Sequence, residues 1–168
     1  AVISAAADDL SAGRKREYAT WHVLGVLAAR HGRLDLAVVQ FRQAVATAPR
    51  DTQPAAYGAL IDVLWRSRKP ADVAAACRDG LRAADGVAPA YFHFHLAYAL
   101  AELGDGAEAL AASDRAIAQA GDSDRLTVRL RKAAVLKVLG RWDEAIALGR
   151  RLLDEFDAPA DRERTRYV

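Results

Sequence analysis

The sequence has few of the residues that build disulfide-bonded, metal-binding or membrane-spanning proteins. Its 168 residues include one cysteine, Cys77, which excludes an internal disulfide and a zinc site with four cysteine ligands. No apolar run reaches the roughly 18–20 residues that a transmembrane helix needs, so no membrane-spanning segment is predicted. Basic and acidic residues number 24 and 22, and this near balance gives no strong electrostatic case for binding nucleic acid.

Methionine and asparagine are absent as well. The missing methionine leaves two interpretations of the first residue, Ala1: a processed start, or a chain taken from a longer protein. A lone cysteine suits the cytoplasm and the periplasm equally, so the compartment stays open. The abundance of alanine and arginine hints at a bacterial source.

Helix-forming residues dominate the sequence, because alanine and leucine are abundant and strict apolar–polar alternation is missing. Glycine and proline interrupt the apolar segments at regular places where a helix can end or begin. The pattern predicts helices joined by short turns and no strands. Their predicted ranges are 16–31, 34–48, 54–67, 70–84, 90–103, 106–120, 125–139 and 142–156.

The predicted turns recur every 36 residues, which indicates an internal repeat. Gly104 and Gly140 are one period apart, Gly32 stands two periods before Gly104, and Arg68 occupies the place between them. Small or branched side chains align at the same period: Ala37, Val73, Ala109 and Ala145. One helix pair cannot bury its own apolar face, whereas stacked pairs form a continuous core.

The predicted architecture is therefore a single array over residues 1–168. Its repeats are predicted at 18–51, 54–87, 90–123 and 126–159. Residues 1–15 match part of a repeat, and residues 160–168 match the start of a further one. The alternative is a plain helical bundle with chance spacing, and several units in one register disfavour it.

The first unit resembles the tetratricopeptide repeat. Its motif residues are Trp21, Leu24, Gly25 and Ala28 in the first helix, then Ala37, Phe41, Ala44 and Pro49. Units three and four keep much of this pattern, but unit two has Ile61 for the small residue and Cys77 for the aromatic one. The resemblance implies an all-α, right-handed solenoid of antiparallel helix pairs. The period of 36 departs from the usual length of about 34 in that family.

In the tetratricopeptide family, the first helix of each pair lines a concave face that binds ligands. The resemblance transfers that role to these residues: His22, Arg30, Asp62, Trp65, Arg66, Tyr91, Phe94, His95, Tyr98, Glu102, Arg131 and Lys137. Val26 and Ala134 fall on the same predicted face. The aromatic residues from Tyr91 to Tyr98 share one side of a helix at i, i+3, i+4, i+7 spacing. The alternative for this stripe is core packing beneath the next unit.

The predicted function is a protein-interaction scaffold that captures an extended or helical peptide in the concave groove. Aromatic side chains would anchor apolar groups, and arginine and lysine would bind carboxylates or polar backbone. Two alternatives stay open. The array can self-associate through its ends or space other domains. It can also be the non-catalytic arm of a larger enzyme that gathers substrates.

Two narrower binding functions are disfavoured. One subtype of the family holds acidic C-terminal tails through lysine and asparagine, but the matching positions here are His22, Val26 and Ala59. The segment Arg125–Arg141 is basic and carries no acid, as a site for an acidic peptide or nucleic acid would. A solvated face with packed side-chain stems explains that segment as well.

No catalytic, cofactor or metal site is predicted. His93 and His95 are two residues apart and point to different sides of a helix, whereas a metal pair needs i, i+4 spacing. Cys77 takes the place of a core residue and is predicted to be a small buried hydrophobe. The glycines around Asp105 form a turn between helices rather than a phosphate-binding loop.

Overall fold

The computed structural model describes residues 2–84, 86 and 89–156. Within these residues all regular structure is helical, and eight helices follow one another. Their bounds are α1 Val2–Arg30, α2 Leu34–Thr47, α3 Gln53–Arg66, α4 Pro70–Ala83, α5 Pro89–Glu102, α6 Gly106–Gln119, α7 Asp122–Val138 and α8 Trp142–Phe156. Consecutive helices pack against each other, and α5 also contacts α7. The predicted all-α fold is confirmed for the described part of the chain.

The predicted helix bounds hold to within three residues for α2 to α8. The predicted start of the first helix at residue 16 was wrong, because α1 runs without a break from Val2 to Arg30. The sequence register aligns Gly13 with Pro49 and so places a helix end there. Glycine in a helix interior costs about 1 kcal/mol relative to alanine but keeps its N–H, so unlike proline it does not end the helix. The repeat boundaries themselves stay predictions.

The turns after α1, α3, α5 and α7 share one backbone conformation. Each contains a residue with positive φ: Gly32 at +73°, Arg68 at +54°, Gly104 at +84° and Gly140 at +72°. The next residue donates its N–H to a carbonyl five residues back: Arg33 to Ala28, Lys69 to Leu64, Asp105 to Leu100 and Arg141 to Leu136. Both features recur every 36 residues, as the sequence period predicts. Arg68 keeps the conformation although its Cβ makes it cost about 1–2 kcal/mol.

Two glycines allow a helix to lie directly against an aromatic ring. A Cβ at Gly25 in α1 would sit 2.9 Å from the ring of Phe41 in α2. A Cβ at Gly80 in α4 would sit 2.5 Å from the ring of Phe92 in α5. Both rings are buried, so these contacts belong to the core. The first is the small-residue and aromatic pair of the motif in unit one, and the second joins two successive units.

One apolar core runs through most of the molecule. The main cluster of buried side chains extends along the sequence from Ala28 to Val135. Cys77 is fully buried within it, which confirms the prediction of a small buried hydrophobe, and burial raises the pKa of its thiol to about 12. A second, small cluster contains Ala116, Ala120 and Val128. None of the described helices is long and apolar enough to cross a membrane.

The contact between Gly80 and Phe92 gives a test of this packing. We expect Gly80→Ala to lower the free energy of unfolding by about 1–3 kcal/mol, because the added methyl overlaps a buried ring. Gly149→Ala in α8 is the control, since its Cβ would meet no atom within 4 Å. That change should raise stability by about 0.5–1 kcal/mol. Urea unfolding followed by circular dichroism measures both, and equal stabilisation by the two variants would contradict the packing.

Candidate functional site

Five predicted binding residues meet in one aromatic cluster, formed by Trp65 of α3 and by Tyr91, Phe94, His95 and Tyr98 of α5. All five side chains are half-buried. The rings of Trp65 and Tyr98 meet edge to face with centroids 5.3 Å apart. The rings of Tyr91 and His95 are 4.4 Å apart, and those of Phe94 and His95 are 5.1 Å apart. The stripe is thus both packed against the core and partly open to solvent, between the two predicted alternatives.

A hydrogen bond between two helices orders this aromatic cluster. The indole Nε1–H of Trp65 donates to Nδ1 of His95 over 2.9 Å. This bond needs a neutral imidazole whose Nδ1 carries no proton. Burial, and next the positive charge of Arg131, lower the pKa of His95 to about 4. His95 is therefore uncharged at neutral pH, and the bond fixes the Trp65 ring against α5.

Helix α7 is the third helix that contributes to the aromatic cluster, after α3 and α5. The guanidinium carbon of Arg131 lies 4.4 Å from the centroid of the Phe94 ring. A cation over an aromatic face is attracted by the ring electrons, with about 0.5–1 kcal/mol at an exposed site. Arg131 was predicted to bind a partner's carboxylate, and its charge remains exposed while its plane covers Phe94.

A cleft opens beside Tyr91, between α3 and α5. Its volume is about 420 Å³, and its lining residues are Pro54, Ala55, Gly58, Ala59, Asp62, Tyr91 and Phe92. Small residues on α3 make the space, because a Cβ at Gly58 would still be 3.7 Å from the Tyr91 hydroxyl. The cleft thus has apolar walls and one carboxylate.

The carboxylate of Asp62 and the phenol of Tyr91 interact at the cleft. Desolvation raises the pKa of Asp62, and the hydrogen bond from Tyr91 opposes that shift. Burial and then the charge of Asp62 raise the pKa of the Tyr91 phenol. Tyr91 is therefore a proton donor at any physiological pH, and Asp62 keeps oxygen atoms that can accept from a ligand.

Other predicted residues lie apart from this cluster. The ring of His22 packs between Tyr18 and Phe41, each with a centroid distance of 5.5 Å. The guanidinium of Arg66 donates to the carbonyl of Ala29 over 2.9 Å and so ties α3 to α1. The remaining predicted binding residues are exposed near the ends of α1, α5 and α7: Arg30, Glu102 and Lys137.

The basic side chains of α7 have acidic neighbours that the sequence pattern did not reveal. Arg129 pairs with Glu155 of α8 at 2.8 Å, and Lys132 pairs with Asp114 of α6. Arg141, just after α7, pairs with Glu144 at 2.6 Å. These pairs satisfy part of the positive charge within the chain and fit the interpretation of this segment as a solvated face with packed side-chain stems.

Sequence reasoning missed Phe92 as a cleft residue and missed the link between Trp65 and His95. Phe92 follows Tyr91 directly, and its apolar character at the start of a predicted helix was the available signal. Among the described residues, no three His, Cys, Asp or Glu side chains are grouped to hold a metal ion. No protein-family model matches the chain, and no curated protein is significantly similar to it.

The lowered pKa of His95 predicts a pH-dependent stability. In the unfolded chain this histidine has a pKa of about 6.5, so between pH 6.5 and 4 the unfolded state binds more protons. The contribution of His95 to the free energy of unfolding is complete above pH 6.5 and decreases as the pH falls to 4. The loss should be on the order of 3 kcal/mol. Urea unfolding followed by tryptophan fluorescence at a series of pH values measures it.

His95→Gln is the matched control for this pH dependence. Its amide oxygen can accept the hydrogen bond from Trp65 but does not titrate. The free energy of unfolding of this variant should decrease much less than that of the wild type as the pH falls. A smaller decrease should remain, because His93 also has a pKa lowered by burial and by Arg115. Identical pH profiles for the wild type and this variant would show that His95 is not the titrating group.

Proposed function

We propose that the chain is a tetratricopeptide-type repeat scaffold that binds a partner peptide on the surface made by α3, α5 and α7. The observation that carries the proposal is the aromatic cluster beside the cleft of about 420 Å³. Half-exposed aromatic rings next to an apolar cleft with few polar groups are typical of recognition sites.

The tetratricopeptide interpretation supplies the overall geometry of this proposal. In it, the helices pair antiparallel, the units wind into a right-handed solenoid, and α1, α3, α5 and α7 line the concave side. The repeated turn after each of these helices supports a regular array. The contact between α5 and α7 supports the placing of first helices beside each other in successive units.

The contacts suggest different tasks for the predicted residues. The indole N–H of Trp65 is already bonded to His95, so a partner would meet only the ring of Trp65. Fixed rings lose little conformational entropy when they bind, which favours affinity. Asp62 would orient a ligand, since its remaining lone pairs place an acceptor at the apolar cleft, whereas the single O–H of Tyr91 already donates to Asp62. A fitting ligand is a peptide with an apolar side chain beside a basic or backbone N–H donor.

A cleft-filling variant tests this function without removing a core side chain. Peptides should first be selected from a random displayed library on the purified wild-type chain. Gly58→Leu should then weaken them at least about tenfold, because its side chain enters the space beside Tyr91. Ala107→Leu on α6, which is exposed and away from the cleft, is the control and should leave affinity unchanged. Isothermal calorimetry measures the affinities, and circular dichroism checks the helicity.

Two outcomes would contradict the proposal. No peptide enriched on the wild-type chain would argue against a peptide-binding surface. Peptides that bind Gly58→Leu and Ala107→Leu equally well would place the binding site elsewhere on the molecule.

A further inference from the structure

Two apolar faces lie at opposite ends of the array of described helices. We define the leading face by Val23, Leu24 and Leu27 of α1 with Leu36 and Val39 of α2. All five side chains are exposed, although large apolar groups are usually covered. Single exposed apolar residues are ordinary, but here five lie on one helix pair, and Leu24, Leu27 and Leu36 line one cleft.

We define the trailing face by three residues on one stripe of α8: Trp142, Ile146 and Leu153. They are exposed by half or more of their surface. Gly149 lies between them on the same stripe, at i, i+4, i+7, i+11 spacing, so nothing bulky interrupts it. Another helix can therefore approach closely at this end.

Two residues of the leading face, Leu24 and Leu27, have the sequence positions of residues that are buried inside the array. Leu24 and Leu27 are 42% and 47% exposed. One period later, Leu60 and Val63 are only 6% and 2% exposed, and α2 of the preceding pair packs against their helix α3. Leu24 and Leu27 are thus at contact positions on which no described helix pair packs.

The trailing face repeats the other side of that contact. Val38 and Ala74 occupy the place of Ile146 in the first two units, and both are buried. Ile146 at one end and Leu24 and Leu27 at the other therefore hold repeat positions that are buried inside the array.

Charged residues at the two ends occupy the same repeat positions as an ion pair inside the array. Lys69 Nζ pairs with Asp35 at 2.8 Å. Arg33 lies one period before Lys69, and Asp143 lies three periods after Asp35. If a second copy continues the array, its Arg33 meets Asp143 as Lys69 meets Asp35.

A hydrogen bond inside the array also has equivalent residues at the two ends. Arg66 donates to the carbonyl of Ala29 between the first two units. Arg30 lies one period before Arg66, and Lys137 lies three periods after Ala29. Arg30 of a second copy would then donate to the carbonyl of Lys137. The exposed Arg30, Arg33 and Asp143 have partners in this arrangement.

We propose that copies of this chain associate head to tail, with the leading face of one copy on the trailing face of the next. The occupant of each apolar end is thus a second copy, placed as an additional unit of the array. The two surfaces differ, so the association is heterologous and does not close at two copies. Its size should grow with concentration.

The test is the mass of the 168-residue chain in solution, measured by sedimentation velocity from low micromolar to near-millimolar concentration. The weight-average mass should rise with concentration beyond that of a dimer. Leu27→Glu should weaken the association at least about tenfold, because it places a charge in the middle of an apolar contact. Leu103→Glu is the control, since Leu103 is 49% exposed, as Leu27 nearly is, but lies in the turn after α5. It should leave the association unchanged.

Charge exchange keeps the test independent of how well Leu27→Glu folds. Arg33→Asp and Asp143→Arg should each weaken association about threefold to tenfold, by like-charge contact at the joint. An equimolar mixture of the two variants should restore it, because every alternating joint then has opposite charges. A mass that stays monomeric would overturn the proposal. Association that is insensitive to Leu27→Glu, or that mixing does not restore, would equally overturn it.

Discussion

The four turns that close α1, α3, α5 and α7 hold the described helices in register. In each, a residue with positive φ lets the following N–H reach a carbonyl five residues back, and the next helix then begins at an equivalent place. Equivalent positions therefore face the core in successive helix pairs, as Ala37, Val73 and Ala109 do. Leu60 and Val63 are buried for that reason, and Leu24 and Leu27, one period earlier, are buried only if another unit covers them. Both the continuous core and the apolar ends follow from this one local constraint.

The candidate site depends on the same register. It brings Trp65 of α3 to His95 of α5 and places Arg131 of α7 on Phe94, so three helices contribute to one surface. The half-buried, neutral imidazole of His95 accepts the hydrogen bond from Trp65, which a protonated imidazole cannot accept. The arrangement of the rings on this surface therefore depends on the protonation state of His95. Rings that are already fixed lose little conformational entropy when a ligand covers their apolar area. The Asp62 carboxylate and the Arg131 guanidinium are the polar groups beside these rings.

Much of the fold could be predicted because its signals are local. Glycine and proline mark the turns, so seven helices were predicted to within three residues, and even the turn at Arg68 was found through the period. Gly13 misled the prediction of α1, since a single glycine weakens a helix without ending it. The shared face of Tyr91, Phe94, His95 and Tyr98 could be predicted from spacing alone. The partners of those residues could not, because the link from Trp65 to His95 and the isolation of His22 beside Phe41 depend on how units stack.

The central claim is that each unit owes its stability to its neighbours, and native-state hydrogen exchange tests it most directly. At a concentration where the chain is monomeric, the slowest amides should lie in α3, α4 and α5, which are covered on both sides. The amides of α1 and α8 should exchange clearly faster, since each helix belongs to a unit covered on one side. Equal protection in all eight helices, or the slowest exchange at one end, would contradict a repeat array and favour a single cooperative bundle.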